Sequence, residues 1–447
     1  MMRAVLLFLA VLGVPGLALA QAPSAQPPAT AAAPVSIDGL TALIDSGALT
    51  RHELAAAYNN RAIAFGEAGR ESQALADYAV ALALAPGDAT LRFNRARAHL
   101  RQGGYDAAIA DLDEAVRLDP ETAAHHHNLG LAHWAAGHGE QALASLEQAA
   151  ALAPDNAAAL TARGQALALL GQHAAAATVL TTAFAIEPQS AAARRSRGIA
   201  RAGLGQHDLA IADYSAAIAR DPGDAEAIMR RAEARRLLGQ FERALDDYDL
   251  AMDLRPAHGE THFGRGLALK ALGRYGEADR DFGQAIGLLA DKALAYKARA
   301  MTRFYLGQFP EAARDLRRTL GLDPRDAYAM LWLYLAREHA GLSGARELAA
   351  NRRALGETAW PQPLIALFLG ETSADQVLRQ ARHPNSRKHR ERECEAFFYV
   401  GQHKLLAGDL AGAARAFRRS LQTAITTYAE YRGAAIELRK LESEDRS

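Results

Sequence analysis

The chain contains very little cysteine and no excess of either charge. Its one cysteine, Cys394, excludes an internal disulfide and a cysteine-based metal cluster. Lysine and arginine together number 51, as do aspartate and glutamate, so the formal net charge is zero. Because nucleic acids and anionic membranes recruit proteins largely through positive charge, this balance argues against nucleic acid as a partner.

The chain also lacks the short motifs that carry catalysis. It has no glycine-flanked nucleophilic serine, phosphate-binding loop, dinucleotide fingerprint or complete HExxH motif. His52 and Glu53 begin such a zinc motif, but Ala56 stands where the second histidine belongs. No segment outside the repeats described below is long enough for a catalytic domain. The sequence therefore predicts a protein that is not an enzyme and needs no cofactor.

Five histidines lie close together without predicting a metal site. They are His125, His126, His127, His133 and His138. Three adjacent histidines on a helix point in three directions, and neither cysteine nor suitably spaced paired carboxylates accompany them. We therefore expect no metal.

The first residues have the pattern of an export signal. Arg3 precedes an apolar run from Ala4 to Leu12, and small residues stand at Ala18 and Ala20. The run is too short to span a bilayer, so residues 1–20 are predicted to be a cleaved signal peptide. Gln21, and not a cysteine, directly follows the predicted cleavage site, so no membrane anchor is expected. Export without disulfides favours the bacterial periplasm.

Residues 21–36 are predicted to be a disordered linker, because alanine, proline, glutamine and serine supply too little apolar bulk to offset the entropy of ordering.

A pattern of glycine, small residues and proline then recurs every 34 residues. Glycine marks a turn at Gly69, Gly103, Gly137, Gly171, Gly205, Gly239, Gly273, Gly307 and Gly341. A small residue marks a helix crossing at Ala74, Ala108, Ala142, Ala176, Ala210, Ala244, Ala278 and Ala312. Proline marks the end of every unit but the seventh, where Ala290 stands; the prolines are Pro86, Pro120, Pro154, Pro188, Pro222, Pro256 and Pro324.

This punctuation resembles the tetratricopeptide repeat, in which each unit is an antiparallel pair of helices. The resemblance implies an all-α, right-handed tetratricopeptide-repeat solenoid, because stacked units bury each other's apolar faces. We expect about eight regular pairs and a degenerate ninth within an array at residues 37–341. Residues 342–447 are predicted to hold degenerate repeats and a C-terminal capping helix, Thr427 to Leu441. Arg387 to Arg392, a basic run interleaved with glutamates, is interpreted as a charged connection.

Arginine and aspartate recur together at two positions sixteen residues apart. The pairs are Arg61 with Asp77, Arg95 with Asp111, Arg197 with Asp213, Arg231 with Asp247, Arg265 with Asp281, and Arg299 with Asp315. Where Leu129 replaces the arginine, Ser145 replaces the aspartate. An unpaired charge between helices would cost more than the pair contributes, so we expect these residues to be structural ion pairs that join the two helices of a unit.

The C-terminal quarter resembles the NlpI-type periplasmic tetratricopeptide-repeat lipoproteins of Gram-negative bacteria. The resemblance rests on residues 331–336, Trp360, Ile365 to Gly370, Cys394 to Gly401 and Gly408-Asp409. It implies a scaffold that docks a periplasmic processing protease and cell-wall hydrolases. This chain departs from that family in having no lipid-modifiable cysteine and in having more repeats.

Two sets of residues are candidates for peptide binding. The repeat resemblance implies that the sixth position of each first helix faces a concave groove. Asparagine occupies it in three successive units, as Asn60, Asn94 and Asn128. An amide can donate to and accept from a peptide group at once, and the row resembles that in the repeats of O-linked N-acetylglucosamine transferase. The alternative is that asparagine is merely common there.

The second set is Phe304 and Tyr305, with Lys270 and Lys297 nearby, which would suit an apolar or C-terminal segment. We therefore expect a non-enzymatic periplasmic scaffold that binds peptides or proteins. The alternatives are an adaptor for envelope proteolysis or peptidoglycan turnover, and a glycan-binding module.

Overall fold

A computed structural model describes residues 36–356, 360–426 and 428–444, with residue 444 described by its backbone alone. Twenty-four α-helices and no strand occur within these ranges, which confirms the all-α prediction. The predicted signal peptide and all of the predicted linker except Ser36 lie outside the described residues. None of the helices in the described ranges is long and apolar enough to cross a membrane.

The chain divides into two compact units, Met1–Leu254 and Arg255–Ser447. This division falls between the sixth and seventh repeats, and not at residue 341, where the repeat pattern ends. The helices of unit 1 are α1 (Ile37–Asp45), α2 (Arg51–Glu67), α3 (Glu71–Leu84), α4 (Ala89–Arg101), α5 (Tyr105–Leu118), α6 (Ala123–Ala135), α7 (Gly139–Leu152), α8 (Ala157–Leu169), α9 (His173–Ile186), α10 (Ala191–Gly203), α11 (His207–Ile218), α12 (Ala225–Leu237) and α13 (Phe241–Leu254).

Unit 2 begins with two further regular pairs and then changes character. Its helices are α14 (Gly259–Ala271), α15 (Tyr275–Leu288), α16 (Ala293–Tyr305), α17 (Phe309–Leu322), α18 (Ala327–His339), α19 (Ala345–Arg352), α20 (Gln362–Phe368), α21 (Ala374–Gln380), α22 (Ser386–Leu406), α23 (Leu410–Gln422) and α24 (Ala429–Glu444).

Glycine makes the tight turn inside each repeat. The nine glycines at this position have φ between 70° and 83°, a left-handed conformation that residues with a Cβ adopt only at a cost. The first helix can therefore end and the chain can reverse within three residues.

Small residues let the two helices of each repeat cross closely. The eight crossing alanines are completely buried, as Ala210 illustrates. On the facing helix a second small residue is required, because a Cβ on Gly198 would lie 2.6 Å from Cε1 of Tyr214. Tyr214 itself is 1% exposed, so neither partner has room to move. Close-packed crossings of this kind fix the geometry of each helix pair.

In five of the repeats, the residue after the proline turn caps the first helix that follows. Side chains there accept hydrogen bonds from the first backbone N–H groups of the following helix; they are Asp88, Asn156, Ser190, Asp224 and Asp326. These groups would otherwise lack partners at a helix start.

One element of the C-terminal part differs from the sequence prediction. Arg387 to Arg392 is not a connection but the first turns of α22. Asn385 caps this helix by accepting from the backbone N–H groups of Arg387 and Lys388, and an Arg387–Glu391 ion pair one turn apart supports it. Repeat-like packing then resumes, because a Cβ on Gly401 would lie 2.5 Å from the ring of Phe417.

Candidate functional site: the inner faces of the two units

Within each unit, the first helices of successive repeats contact each other, for example α2 with α4 and α14 with α16. No equally extensive contact joins the second helices of successive repeats in the described parts of the chain. The first helices therefore lie on the closer-packed side of the stack. We call this side the inner face.

A row of three amide side chains crosses the inner face of unit 1. The Nδ2 group of Asn94 donates to Oδ1 of Asn59 at 3.0 Å, and Nδ2 of Asn59 donates to Oδ1 of Asn60 at 3.3 Å. Asn59 is buried and holds the row together between two repeats. The Nδ2 group of Asn60 and Oδ1 of Asn94 keep their bonding capacity, and neither atom is sealed from solvent. One end of the row offers a donor and the other an acceptor.

Asn128, the third candidate, does not join this row. It is completely buried, and its Nδ2 group donates to the backbone oxygen of Ala124 in its own helix at 2.9 Å. The difference arises in the preceding repeat, where Phe93 stands at the position that Asn59 occupies next to Asn94. The phenyl ring of Phe93 has no oxygen to accept a hydrogen bond, so the Asn128 amide donates to the backbone of its own helix instead.

Beyond the asparagines, charged pairs line the inner face of unit 1. Arg195 pairs with Asp224 of the next repeat at 2.7 Å, and Arg230 pairs with Glu226 at 2.7 Å. Glu233 accepts hydrogen bonds from Arg236 and from the hydroxyl of Tyr248. Burial opposes ionisation of Glu233, but the Arg236 guanidinium outweighs it and lowers the pKa of this carboxyl. The inner face of unit 1 is therefore polar and its carboxylates are neutralised by neighbours.

All six arginine–aspartate pairs inferred from the sequence are present. Their shortest N–O distances lie between 2.6 and 2.8 Å, and each joins the first helix of a repeat to its second; they are Arg61–Asp77, Arg95–Asp111, Arg197–Asp213, Arg231–Asp247, Arg265–Asp281 and Arg299–Asp315. In four repeats a second guanidinium reaches the same carboxylate; these second arginines are Arg92, Arg201, Arg235 and Arg303. Arg163, which has no aspartate partner, contacts the exposed Glu147 at 3.3 Å.

Phe304, one of the two aromatic candidates, lies in the core of unit 2. It is 2% exposed and makes edge contacts with Trp332, Phe309 and His339, with ring centroids 5.1–5.2 Å apart. The structure therefore corrects the expectation that Phe304 presents its ring to a ligand. Phe304 is the next-to-last residue of α16, and its ring turns into the core, where Trp332 of the next repeat packs against it.

Tyr305, the other aromatic candidate, is covered by the C-terminal helix. A Cβ on Gly433 of α24 would lie 2.5 Å from the Tyr305 hydroxyl oxygen, and Nζ of Lys440 lies 5.9 Å from the centre of the Tyr305 ring. The hydroxyl is buried and has no hydrogen-bond partner. In unit 2, a segment of the same chain thus occupies the place expected for a ligand.

A group of buried carboxylates lies beneath α24. Glu395 accepts from the Tyr328 hydroxyl at 2.9 Å and from Nε1 of Trp360 at 2.6 Å, and Glu430 accepts from the Tyr399 hydroxyl at 3.2 Å. Burial, together with the nearby charge of Glu430, raises the pKa of Glu395 to about 7. Burial also raises the pKa of Glu430. This group was not predicted, because its members come from four separate segments.

The histidines of the third repeat have ordinary contacts. His125 and His126 approach the backbone oxygens of Asp119 and Pro120, and Nδ1 of His133 lies 3.4 Å from Nδ1 of His138. Among the described residues, no three histidine, cysteine, aspartate or glutamate side chains are grouped as a metal site would require.

Comparison with protein families matches the repeats directly. A model described as "TPR repeat" matches residues 97–137, and one described as "Tetratricopeptide repeat" matches residues 127–191, 170–225, 195–259 and 297–362. Together these matches cover residues 97–259 and 297–362, just over half of the chain.

Among curated proteins, the chain is similar to a protein named Lipoprotein NlpI homolog from Haemophilus influenzae. The two are 31% identical over 122 residues, which are 27% of this chain and 39% of that protein. The chain therefore matches only about two-fifths of the length of this relative.

Solved structures share the fold. The Cut9–Hcn1 hetero-tetramer structure matches with a TM-score of 0.50 and 18% identity, over 67% of this chain and 59% of that one. A tetratricopeptide repeat protein from Parabacteroides merdae matches with a TM-score of 0.47 and 19% identity, over 56% of this chain and 98% of that one.

Proposed function

Because this chain belongs to the tetratricopeptide repeat family, we propose that it is a non-enzymatic scaffold that binds an extended peptide segment of a partner protein. The observation that carries this proposal is the amide row on the inner face of unit 1. Its free donor, on Asn60, and its free acceptor, on Asn94, match the carbonyl and N–H of a peptide backbone. Such contacts hold main chain whatever the side chains of the ligand are.

The proposed place of action is the periplasm. The export pattern of residues 1–20 and the similarity to the Lipoprotein NlpI homolog support this location. The same similarity favours a second candidate, an adaptor for envelope proteolysis or peptidoglycan turnover, in which the bound segment belongs to a protease or a cell-wall hydrolase. The glycan-binding alternative loses its support, because Phe304 and Trp332 are buried and offer no exposed ring for a sugar.

Peptide binding by the amide row can be tested with the full-length chain and a fluorescent library of random dodecapeptides. The double variant Asn60→Ala, Asn94→Ala removes both free groups. Two hydrogen bonds are worth roughly 1 kcal/mol each, so affinity should fall by about tenfold or more in a polarisation titration.

Asn128→Ala is the matched control, because this asparagine holds the same repeat position but is buried and bonded within its own helix. It should leave peptide affinity unchanged. Equal affinities for the wild type and the double variant would refute the role of the row.

A further inference from the structure

The C-terminal helix α24 is fitted closely to the inner face of unit 2. It packs on α22 and α23, and its Gly433 meets Tyr305 at the end of α16 and the ring of Phe398 on α22. A Cβ at Gly433 would lie 2.7 Å from Cε2 of Phe398, so only glycine permits this approach. The adjacent Ala434 is completely buried. The inner face of unit 2 is thus shaped to accept one helix with small residues at its centre.

The buried side of α24 carries two acidic side chains. Glu430 and Glu437 are seven residues apart, which places them two turns apart on one side of the helix. Glu430 is 6% exposed and Glu437 is 5% exposed. The ammonium groups of Lys297 and Lys270, on α16 and α14, act on Glu430 and oppose the increase in its pKa. Lys297 also pairs with Asp326 at 2.6 Å, so the two lysines offset only part of the cost of burying Glu430.

The buried carboxylates of α24 reduce the stability of its packing against the inner face. Moving a carboxylate out of water carries a penalty of several kcal/mol that its partners offset only in part. Here Glu395 and Glu430 also repel each other. The apolar contacts of α24, made through residues such as Leu438 and Leu441, must outweigh this cost. The free energy that holds α24 against the inner face is therefore smaller than the close fit of the two surfaces alone would predict.

We propose that the inner face of unit 2 is a binding site for an acidic amphipathic helix of a partner protein, and that α24 occupies this site until such a helix displaces it. The partner helix carries two acidic residues seven apart with a glycine between them, as Glu430, Gly433 and Glu437 do. This inference deepens the scaffold function proposed above and rests on it, but it concerns unit 2 and different residues.

Because α24 is tethered to α23, a partner helix must compete with α24 for the groove. Only the six residues from Thr423 to Tyr428 separate the two helices. A short tether gives a segment an effective concentration of the order of millimolar at its own site. A free helix should therefore bind the wild-type chain weakly and should bind tightly once α24 has been expelled.

The test uses the full-length chain and a fluorescent synthetic peptide of residues 428–444. The variant Gly433→Leu places a side chain against Tyr305 and Phe398 and should expel α24 while leaving the groove intact. We expect this variant to bind the peptide at least about tenfold more tightly than the wild type does, as measured by polarisation. Gly287→Leu is the matched control, because a Cβ at that exposed helical glycine meets nothing within 4 Å.

The chemistry of the partner is tested with a second peptide in which both glutamates are lysines. It should bind Gly433→Leu at least about tenfold more weakly than the native peptide, because a lysine at the place of Glu430 cannot accept the hydrogen bond from the Tyr399 hydroxyl and would meet the positive charges of Lys270 and Lys297. Equal binding of the two peptides would overturn the acidic character of the site. Absence of peptide binding by a Gly433→Leu chain with wild-type helix content would overturn the site itself.

Two further measurements test the proposal even if Gly433→Leu folds badly. In the wild type, amide hydrogens of residues 429–444 should exchange faster than those of α23, since α24 leaves the groove on its own. Exchange as slow as that of α23 would identify α24 as permanent core. Light scattering of Gly433→Leu should give a monomer, whereas a dimer would assign the groove to α24 of a second copy.

The variants of unit 1 separate the two proposals. Asn60→Ala with Asn94→Ala should leave binding of the 428–444 peptide to the Gly433→Leu chain unchanged. The dodecapeptide titration therefore tests the amide row independently of the helix site in unit 2.

Discussion

The same position of the repeat has opposite roles in the two units. In unit 1 the sixth residue of the repeat is Asn60 or Asn94, whose amides form a row that still has a free donor and a free acceptor. In unit 2 it is Trp332, which is 1% exposed and lies under α24. The repeat scaffold tolerates either chemistry because the helix crossings, and not the inner face, set its geometry.

The two units also differ in the surroundings of their buried glutamates and therefore in the pKa values of these groups. In unit 1, Glu233 lies beside Arg236 and keeps its charge. In unit 2, Glu395 is bonded to neutral donors and lies near Glu430, so it holds its proton to higher pH. Unit 1 therefore has an inner face adapted to permanent charge, and unit 2 has one whose charge depends on pH.

Replacing the sixth residue of the repeat by alanine should give the largest difference in stability between the two units. Trp332→Ala removes a fully buried ring that contacts Phe304 and Phe398, so unit 2 should lose roughly 3–5 kcal/mol of unfolding free energy. Asn60→Ala removes one weak hydrogen bond at the inner surface and should cost roughly 1 kcal/mol or less. Urea unfolding followed by circular dichroism measures both.

Similar losses for the two variants would contradict the contrast, because they would mean that the sixth position supports both units equally. Tyr328→Phe in the same first helix keeps the ring but removes a hydroxyl that donates to Glu395 at 2.9 Å, so its loss of about 1 kcal/mol gives the scale of a single hydrogen bond in α18.

The two units should respond to pH with opposite sign. The folded-state pKa of Glu395, about 7, lies above its usual 4.5, so folding favours the protonated form. The resulting stability is complete below about pH 4.5 and is lost as the pH rises to about 7, a change on the order of 3 kcal/mol. Glu233, with a lowered pKa, contributes stability above its usual pKa and loses it on acidification.

Hydrogen exchange of α22 amides at pH 5 and pH 8 measures this effect in unit 2. Burial lowers the pKa of His339 and His403, which acts in the opposite direction, so the quantity to compare is wild type minus Glu395→Gln. The stability advantage of the wild type should shrink from pH 5 to pH 8. A difference that does not vary with pH would show that Glu395 is ionised throughout.

The sequence specifies the repeats because every requirement lies within one period. A turn needs glycine, a crossing needs alanine, and a buried arginine needs its aspartate, so each feature recurs and can be recognised by comparing units. The pairs such as Arg197 with Asp213 were predictable for this reason, as was the absence of a partner aspartate for Arg163.

The inner faces were harder to predict because they depend on neighbouring repeats. Asn94 and Asn128 are equivalent within their own repeats, and only the preceding Asn59 or Phe93 decides which one joins a row. A single signal was available, the adjacent Asn59 and Asn60. The cover over Tyr305 depends on Gly433, which lies in a distant segment outside the repeat pattern, so no local rule indicates it.

The smallest effect should come from the Tyr305 hydroxyl, and it should be a gain. This hydroxyl is buried under α24 without a hydrogen-bond partner, and the charges of Glu437 and Glu430 act on it. Tyr305→Phe keeps the ring and removes the unpaired group, so unit 2 should become more stable by about 1 kcal/mol. Urea unfolding of the full chain measures the change.

Tyr399→Phe provides the matched comparison, because the Tyr399 hydroxyl donates to Glu430 at 3.2 Å. Removing that donor leaves a buried carboxylate with one partner fewer, so this variant should be less stable by about 1 kcal/mol. If both variants lost stability, Tyr305 would have to be bonded in solution, which requires α24 to sit differently on the inner face. Opposite signs for two otherwise identical deletions would place α24 over Tyr305 and distinguish a covered inner face in unit 2 from the open one in unit 1.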